Sequence, residues 1–83
     1  MTFKAEIDIM PHKALLDPQG KAVTNSMKNV GLEEITNVRV GKHISLEVDA
    51  DSEESASAKV KEACEKLLVN KIVETYEFEI AKV

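Results

Sequence analysis

From Val38 to Val48 the even positions read Val38, Val40, Lys42, Ile44, Leu46 and Val48, while the odd ones are Arg39, Gly41, His43, Ser45 and Glu47. Successive side chains of a strand point to opposite faces, so the five apolar residues belong to one buried face. Gly41 stands in the middle of the run and limits how the chain can turn there. A two-residue turn at Gly41-Lys42 would put Val38 and Val40 on the face opposite Ile44 and Leu46, because pairing register alternates the faces. Two arrangements keep all five together: a three-residue loop over Gly41 to His43, or one long strand bent at Gly41. The hairpin is the first choice and the bent strand its alternative. The bent strand would carry the chain into a second sheet and invite strand exchange between two subunits.

The segments on either side supply the other elements. Phe3, Ala5, Ile7 and Ile9 alternate with Lys4, Glu6 and Asp8, which predicts a half-buried strand that Pro11 closes, with His12 to Leu16 as an ordered connection. Asp17-Pro18 is a helix start, since the Asp17 carboxylate caps free backbone N–H groups and proline suits the first helical position. That helix runs to about Val30 with Val23, Met27 and Val30 as its buried stripe, and Gly31 supplies a left-handed stop. Asp51 followed by Glu54 resembles a capping box, after which Ala56, Val60, Ala63, Cys64 and Leu67 form a second stripe. Asn70 is read as a left-handed cap, and Val73 to Ala81 as a closing strand with Tyr76, Phe78 and Ile80 on one side. The order is β-α-β-β-α-β, or β-α-β-α-β with a continuous middle strand. Either predicts an α+β, two-layer, ferredoxin-like sandwich with both helices on one sheet face, in a single domain over residues 1–83.

An 83-residue chain folding alone buries only about 60 to 65% of the surface that its unfolded form exposes, so a homodimer or tetramer that pairs exposed strand edges is expected. The net charge is −4, with 11 basic residues scattered among 15 acidic ones, which argues against nucleic acid as a partner. Phe3, Tyr76 and Phe78 are the only aromatics and offer little for base stacking. Cys64 has no second cysteine to pair with, no apolar stretch approaches the roughly 18 to 20 residues of a membrane span, and no signal peptide is recognised. The expectation is a cytoplasmic protein away from membranes.

The residue pattern predicts no catalytic group and no metal site. His12, His43 and Cys64 are too far apart in sequence for a metal-ligand motif, and Cys64 sits on an apolar stripe where a thiol behaves as a small hydrophobe. Gly20, Gly31 and Gly41 are too widely spaced for a phosphate-cradling loop. The first helix start, with Gln19 and Gly20, offers a weak anion site, and the preferred reading is that Gly20 lets another backbone or chain approach closely, since glycine in a first helical turn otherwise lowers stability. Arg39 and Lys42 stand out, because a guanidinium beside a glycine bend suits bidentate capture of a carboxylate, with a surface salt bridge inside the domain as the equal alternative.

Four segments, Asp17-Pro18-Gln19-Gly20, Val38-Arg39-Val40-Gly41-Lys42, Cys64-Glu65-Lys66-Leu67-Leu68-Val69-Asn70 and Ile72-Val73-Glu74-Thr75-Tyr76, together resemble the PurS family, the small subunit of phosphoribosylformylglycinamidine synthase. The resemblance covers essentially the whole chain. Lys71 stands where the family usually has proline, and Ala14 where glycine is common. The resemblance implies a non-catalytic role in purine biosynthesis, within a complex that converts formylglycinamide ribonucleotide to the amidine. It implies a glutaminase subunit and a large synthetase subunit as partners, a PurS dimer that helps hold them for ammonia transfer, and no cofactor in this chain. ATP, magnesium and glutamine would be used by the partner subunits. The candidate partner-binding residues are Asp17, Gln19 and Gly20 at the first helix start and Arg39, Gly41 and Lys42 at the bend. The rival reading is a small-molecule-sensing module of the ACT type, which shares the element order.

Overall fold

The computed structural model describes residues 1–13, 15 and 17–83. Its strands are β1 (Thr2–Pro11), β2 (Lys42–Asp49) and β3 (Glu74–Lys82), and its helices are α1 (Pro18–Asn29) and α2 (Glu53–Ala63). The sheet is antiparallel in the order β2-β1-β3, which makes β1 the central strand. Ile7 lies opposite Ile44 on one side and Phe78 on the other, so the apolar residues of all three strands share one face. Helix α2 covers that face. Ala5, Ile7, Ile9, Val60, Cys64 and Val69 form the main core cluster, and Phe3, Ala50 and Ala56 a second one beside it.

No hairpin forms at Gly41. Residues 36–41 run outside the sheet and β2 begins at Lys42, so the element order is β-α-β-α-β. Burial stays in phase through the glycine, since Val38, Val40, Ile44, Leu46 and Val48 are all half-buried while Arg39, Gly41, His43, Ser45 and Glu47 are exposed. Both arrangements would keep that phase; the hairpin is excluded because, among the described residues, β2 pairs only with β1 and residues 38–40 pair with no strand.

The two helices also part company. The sandwich was expected to carry both on one sheet face, but only α2 packs there; α1 makes no comparable contact with any strand or with α2. Only Gly20 of α1 is buried, Val23 and Met27 are half-buried, and Val30, just past the helix, stays 67% exposed. The cause lies in the connection, because residues 36–41 lead away from the sheet and hold α1 beside themselves. The radius of gyration is 16.4 Å, against about 12 Å for a compact chain of this length. We refer to α1 with residues 36–41 as the arm.

Three local details differ from the sequence reading. Ser52, not Asp51, caps α2, its hydroxyl accepting the Ser55 N–H at 3.1 Å. After α2 the chain continues as a π-helical turn over Cys64–Leu68, in which the Val69 N–H donates to the Cys64 carbonyl. The extra residue in that turn swings Leu67 outward, to 81% exposed, and Leu68 inward against the core. Asn70 does not adopt the left-handed conformation, which among the described non-glycine residues only Asn37 does; its side chain accepts the Ile72 N–H instead. The connection expected over His12 to Leu16 and the Ala14 departure involve residues 14 and 16, which lie outside the described residues. Among the described residues no helix is long and apolar enough to cross a membrane.

Candidate functional site

The six residues expected at the partner surface come together where the arm meets the sheet. Asp17 organises the junction. Its Oδ1 accepts the Gly20 N–H at 2.9 Å, the capping bond expected of it, and its Oδ2 accepts the Val40 N–H, also at 2.9 Å. One carboxylate therefore ties the first turn of α1 to the extended segment before β2. Both amides favour the ionised form, Gly20 most, and hold the Asp17 carboxyl below the usual range. Thr24 repeats the tie one turn later, accepting the Val38 N–H at 3.0 Å while its hydroxyl donates to the Gly20 carbonyl at 2.9 Å.

The glycines are needed for space. A Cβ on Gly20 would sit 2.2 Å from the Val38 carbonyl oxygen, and one on Gly41 would sit 2.3 Å from the Ile9 carbonyl oxygen. The close approach expected at Gly20 is thus present, made by the chain's own arm. Arg39 places its guanidinium on the Pro11 carbonyl, and Lys42 pairs with Glu74 at 3.4 Å. Glu74 also accepts the Asn70 N–H at 2.9 Å, which with Lys42 holds its carboxyl below the usual range. Asp17, Gln19, Gly41 and Lys42 line an open cleft of about 690 Å³ floored by Pro11 and Val73, while Arg39 lines its neighbour. Gly20 is buried and lines neither cleft. Among the described residues no group of three or more His, Cys, Asp or Glu side chains is placed to hold a metal ion.

Two polar clusters were not anticipated. On the outer face of the sheet, His43 directs Nδ1 to Asp8 at 2.6 Å and Nε2 to Glu6 at 2.5 Å. A neutral imidazole carries one N–H, so only the imidazolium donates to both, and Asp8 followed by Glu6 pushes the His43 pKa up. At the end of the core, Tyr76 donates to Glu65 at 2.7 Å and Lys71 pairs with the same carboxylate. Glu65 drives the Tyr76 phenol up to about 12, while Lys71 and then Tyr76 lower Glu65. Alternation puts Glu6, Asp8 and His43 on solvent faces, but their meeting depends on the β1–β2 register, which no hairpin turn fixes.

These shifts set the pH profile of stability. Glu6, Asp17, Glu65 and Glu74 have lowered pKa values, so their contribution is present above the unfolded values of 3.8 to 4.5 and is lost as pH falls through the folded ones. His43 has a raised pKa, so its contribution is present below 6.5 and is lost as pH rises through the folded value. The melting temperature should peak between about pH 4.5 and 6.5 and fall on both sides, shallowly because all these groups face solvent. A scan of melting temperature against pH on the wild type and His43→Gln checks this. The variant should lose the decline just above pH 6.5, and a decline that persists unchanged would assign it to another group.

Comparison with known proteins then places these features. The PurS family model, phosphoribosylformylglycinamidine (FGAM) synthase, matches residues 4–82. The chain is 35% identical over 81 residues to the PurS subunit of that synthase from Bacillus subtilis, covering 98% of this chain and 95% of the relative. It is 40% identical to the PurS subunit from Thermotoga maritima, covering 90% and 92% respectively. Among solved structures, a chain in PurLQS from Thermotoga maritima superposes with a TM-score of 0.89 at 37% identity, covering 98% of this chain and 99% of that one.

Proposed function

The chain belongs to the PurS family, and from that premise we propose that it is the non-catalytic assembly subunit of a phosphoribosylformylglycinamidine synthase complex in de novo purine biosynthesis. The observation that carries this is the end-to-end likeness to a chain seated in a PurLQS assembly. Its partners are the glutaminase and the large synthetase subunit of the same cytoplasmic complex. ATP, magnesium and glutamine are used by those subunits, and this chain binds no cofactor. Its contribution is proximity: it fixes two active sites so that ammonia released at one reaches the other before it escapes or is protonated.

The division of labour at the arm follows from its chemistry. Asp17, Gly20 and Gly41 shape the junction, and Gln19, Arg39 and Lys42 stand exposed on it as the groups that meet a partner. A second copy of the chain completes the fold. Ile44, Leu46 and Val48 on β2, and Val23 and Met27 on the stripe of α1, are only half-buried, so each keeps part of an apolar surface open. Exchanging arms between two copies covers both surfaces at once.

The test is glutamine-dependent amidine formation by the purified synthetase and glutaminase subunits, with and without this chain, beside an ammonia-driven control. The chain should raise the glutamine-dependent rate and leave the ammonia-driven rate unchanged. If neither rate responds, the assembly role is wrong.

A further inference from the structure

Helix α2 covers one face of the sheet; the other face is open across all three strands. The pairing register places Lys4, Glu6 and Asp8 of β1, His43, Ser45, Glu47 and Asp49 of β2, and Thr75, Glu77 and Glu79 of β3 on that open face. Six carboxylates stand there against Lys4, a balance of −5 with His43 neutral, whereas the whole chain carries −4. All the net negative charge is thus gathered on one side, and the remainder of the molecule is +1 by difference.

The arrangement within the face is uneven. Toward β2, each β1 carboxylate meets a donor: Asp8 lies opposite His43, and Glu6 lies opposite Ser45, whose hydroxyl donates to it at 3.0 Å. Toward β3, each meets another carboxylate: Asp8 lies opposite Glu77, and Glu6 lies opposite Glu79. Like charges placed directly across a strand pair weaken the sheet. Among the described residues neither Glu77 nor Glu79 takes part in an ion pair. The β1–β3 seam is therefore set against the stability of the free chain, and a cation arriving from outside would relieve it. Between the seam's side chains lies a cleft of about 380 Å³, lined by Glu6, Asp8, His43, Glu77, Phe78 and Glu79. That is room for an arginine or lysine side chain, and a guanidinium in it can reach carboxylates of both strands.

We propose that the open sheet face is a docking surface for a basic surface of a partner subunit, whose Arg or Lys side chains enter the β1–β3 cleft. The inference rests on the assembly reading above and adds which face meets the partner. A polyanion is the wrong occupant on charge alone, which sets aside nucleic acid and anionic lipid. Charge complementarity of this kind acts on encounter rate and register, and it weakens with salt.

The test uses Glu77→Gln/Glu79→Gln in the full chain, with Glu33→Gln/Glu34→Gln as a control that removes the same charge from an exposed turn away from the sheet. Binding to the purified glutaminase and synthetase subunits is measured separately, at low and moderate salt, beside the melting temperature of each variant alone. The seam variant should melt at or above the wild-type temperature, showing that it folds, while its affinity for one subunit falls about tenfold at low salt and loses part of its salt dependence. The turn control should bind as the wild type does. Unchanged affinity of the seam variant with a raised melting temperature would overturn the inference and leave the face as solvated surface. A change confined to self-association would also overturn it, in favour of a second copy as the occupant. If the wild type itself binds neither subunit, the assembly reading falls and takes this inference with it.

Discussion

Replacing Gly20 by alanine is expected to destabilise the chain by about 3 kcal/mol, although alanine is the better helix former by up to about 1 kcal/mol. The sign is decided by space. The added methyl would lie 2.2 Å from the Val38 carbonyl oxygen and 2.5 Å from Asp17 Oδ2. Neither atom can withdraw cheaply, because the first is backbone and the second belongs to a carboxylate held at both oxygens, by the Gly20 N–H on Oδ1 and the Val40 N–H on Oδ2, each at 2.9 Å. The arm would have to open, breaking the bonds from Val38 and Val40 together. Thermal unfolding of Gly20→Ala checks the magnitude, with exposed Gln19→Ala next to it as a control near the wild type. A Gly20→Ala variant that melts higher than the wild type would mean that helix and segment are not in contact in solution. Loss of glutamine-dependent activity should accompany the loss of stability, since the cleft residues are positioned by the same junction.

The second large effect is expected at the centre of the sheet. Ile7→Ala should cost about 3 to 4 kcal/mol. Ile7 is fully buried, stands between Ile44 and Phe78 on the neighbouring strands, and belongs to the main core cluster under α2. A central strand cannot shift to fill the space, because moving it would disturb two hydrogen-bonded ladders at once. A domain of this size has a total stability of about 4 to 12 kcal/mol, so the variant should be partly unfolded at physiological temperature. Urea unfolding should show a lower midpoint at an unchanged slope. A loss below about 1 kcal/mol would mean that the core is loosely packed.

How much of this was legible beforehand depended on whether the information was local. The three strands and two helices follow from period and punctuation: the alternation of Phe3 to Ile9, the Asp17-Pro18 start, and Gly31 at a left-handed φ of 80°. The placement of α1 was not legible. Its Val23, Met27 and Val30 stripe says that the helix needs a partner surface but not whose, and the expectation of two helices on one face assumed that the surface belonged to the same chain. The parity of residues 38–48 limited the bend to two choices, and the choice between them turned on what lies beyond Gly41, which a sequence pattern does not encode. The π-helical turn was invisible for the same reason, since Cys64, Leu67 and Leu68 satisfy a helical stripe with or without the extra residue. At the candidate site, the residues at the junction were found from their chemistry, but the carboxylate of Asp17 serving α1 and Val40 at once is a tertiary fact. The acidic seam needed register: Glu77 and Glu79 are ordinary solvent-facing glutamates until pairing sets them against Asp8 and Glu6.

The position of β1 in the middle of the sheet bears on how the chain comes to be folded at all. Its partners come much later in sequence: Ile7 must find Ile44 and then Phe78. Every ladder bond of the central strand therefore closes a long loop, and chains rich in such contacts fold slowly for their size. During synthesis, at roughly 5 to 20 residues per second, β1 waits several seconds for β3 to be made. Until β2 is made Phe3, Ile7 and Ile9 have no strand to join, and until β3 is made one edge of β1 stays open, so nascent β1 is the stretch most exposed to mispairing and to capture by chaperones. The strand that anchors the finished molecule is the one left longest without partners while it is being built.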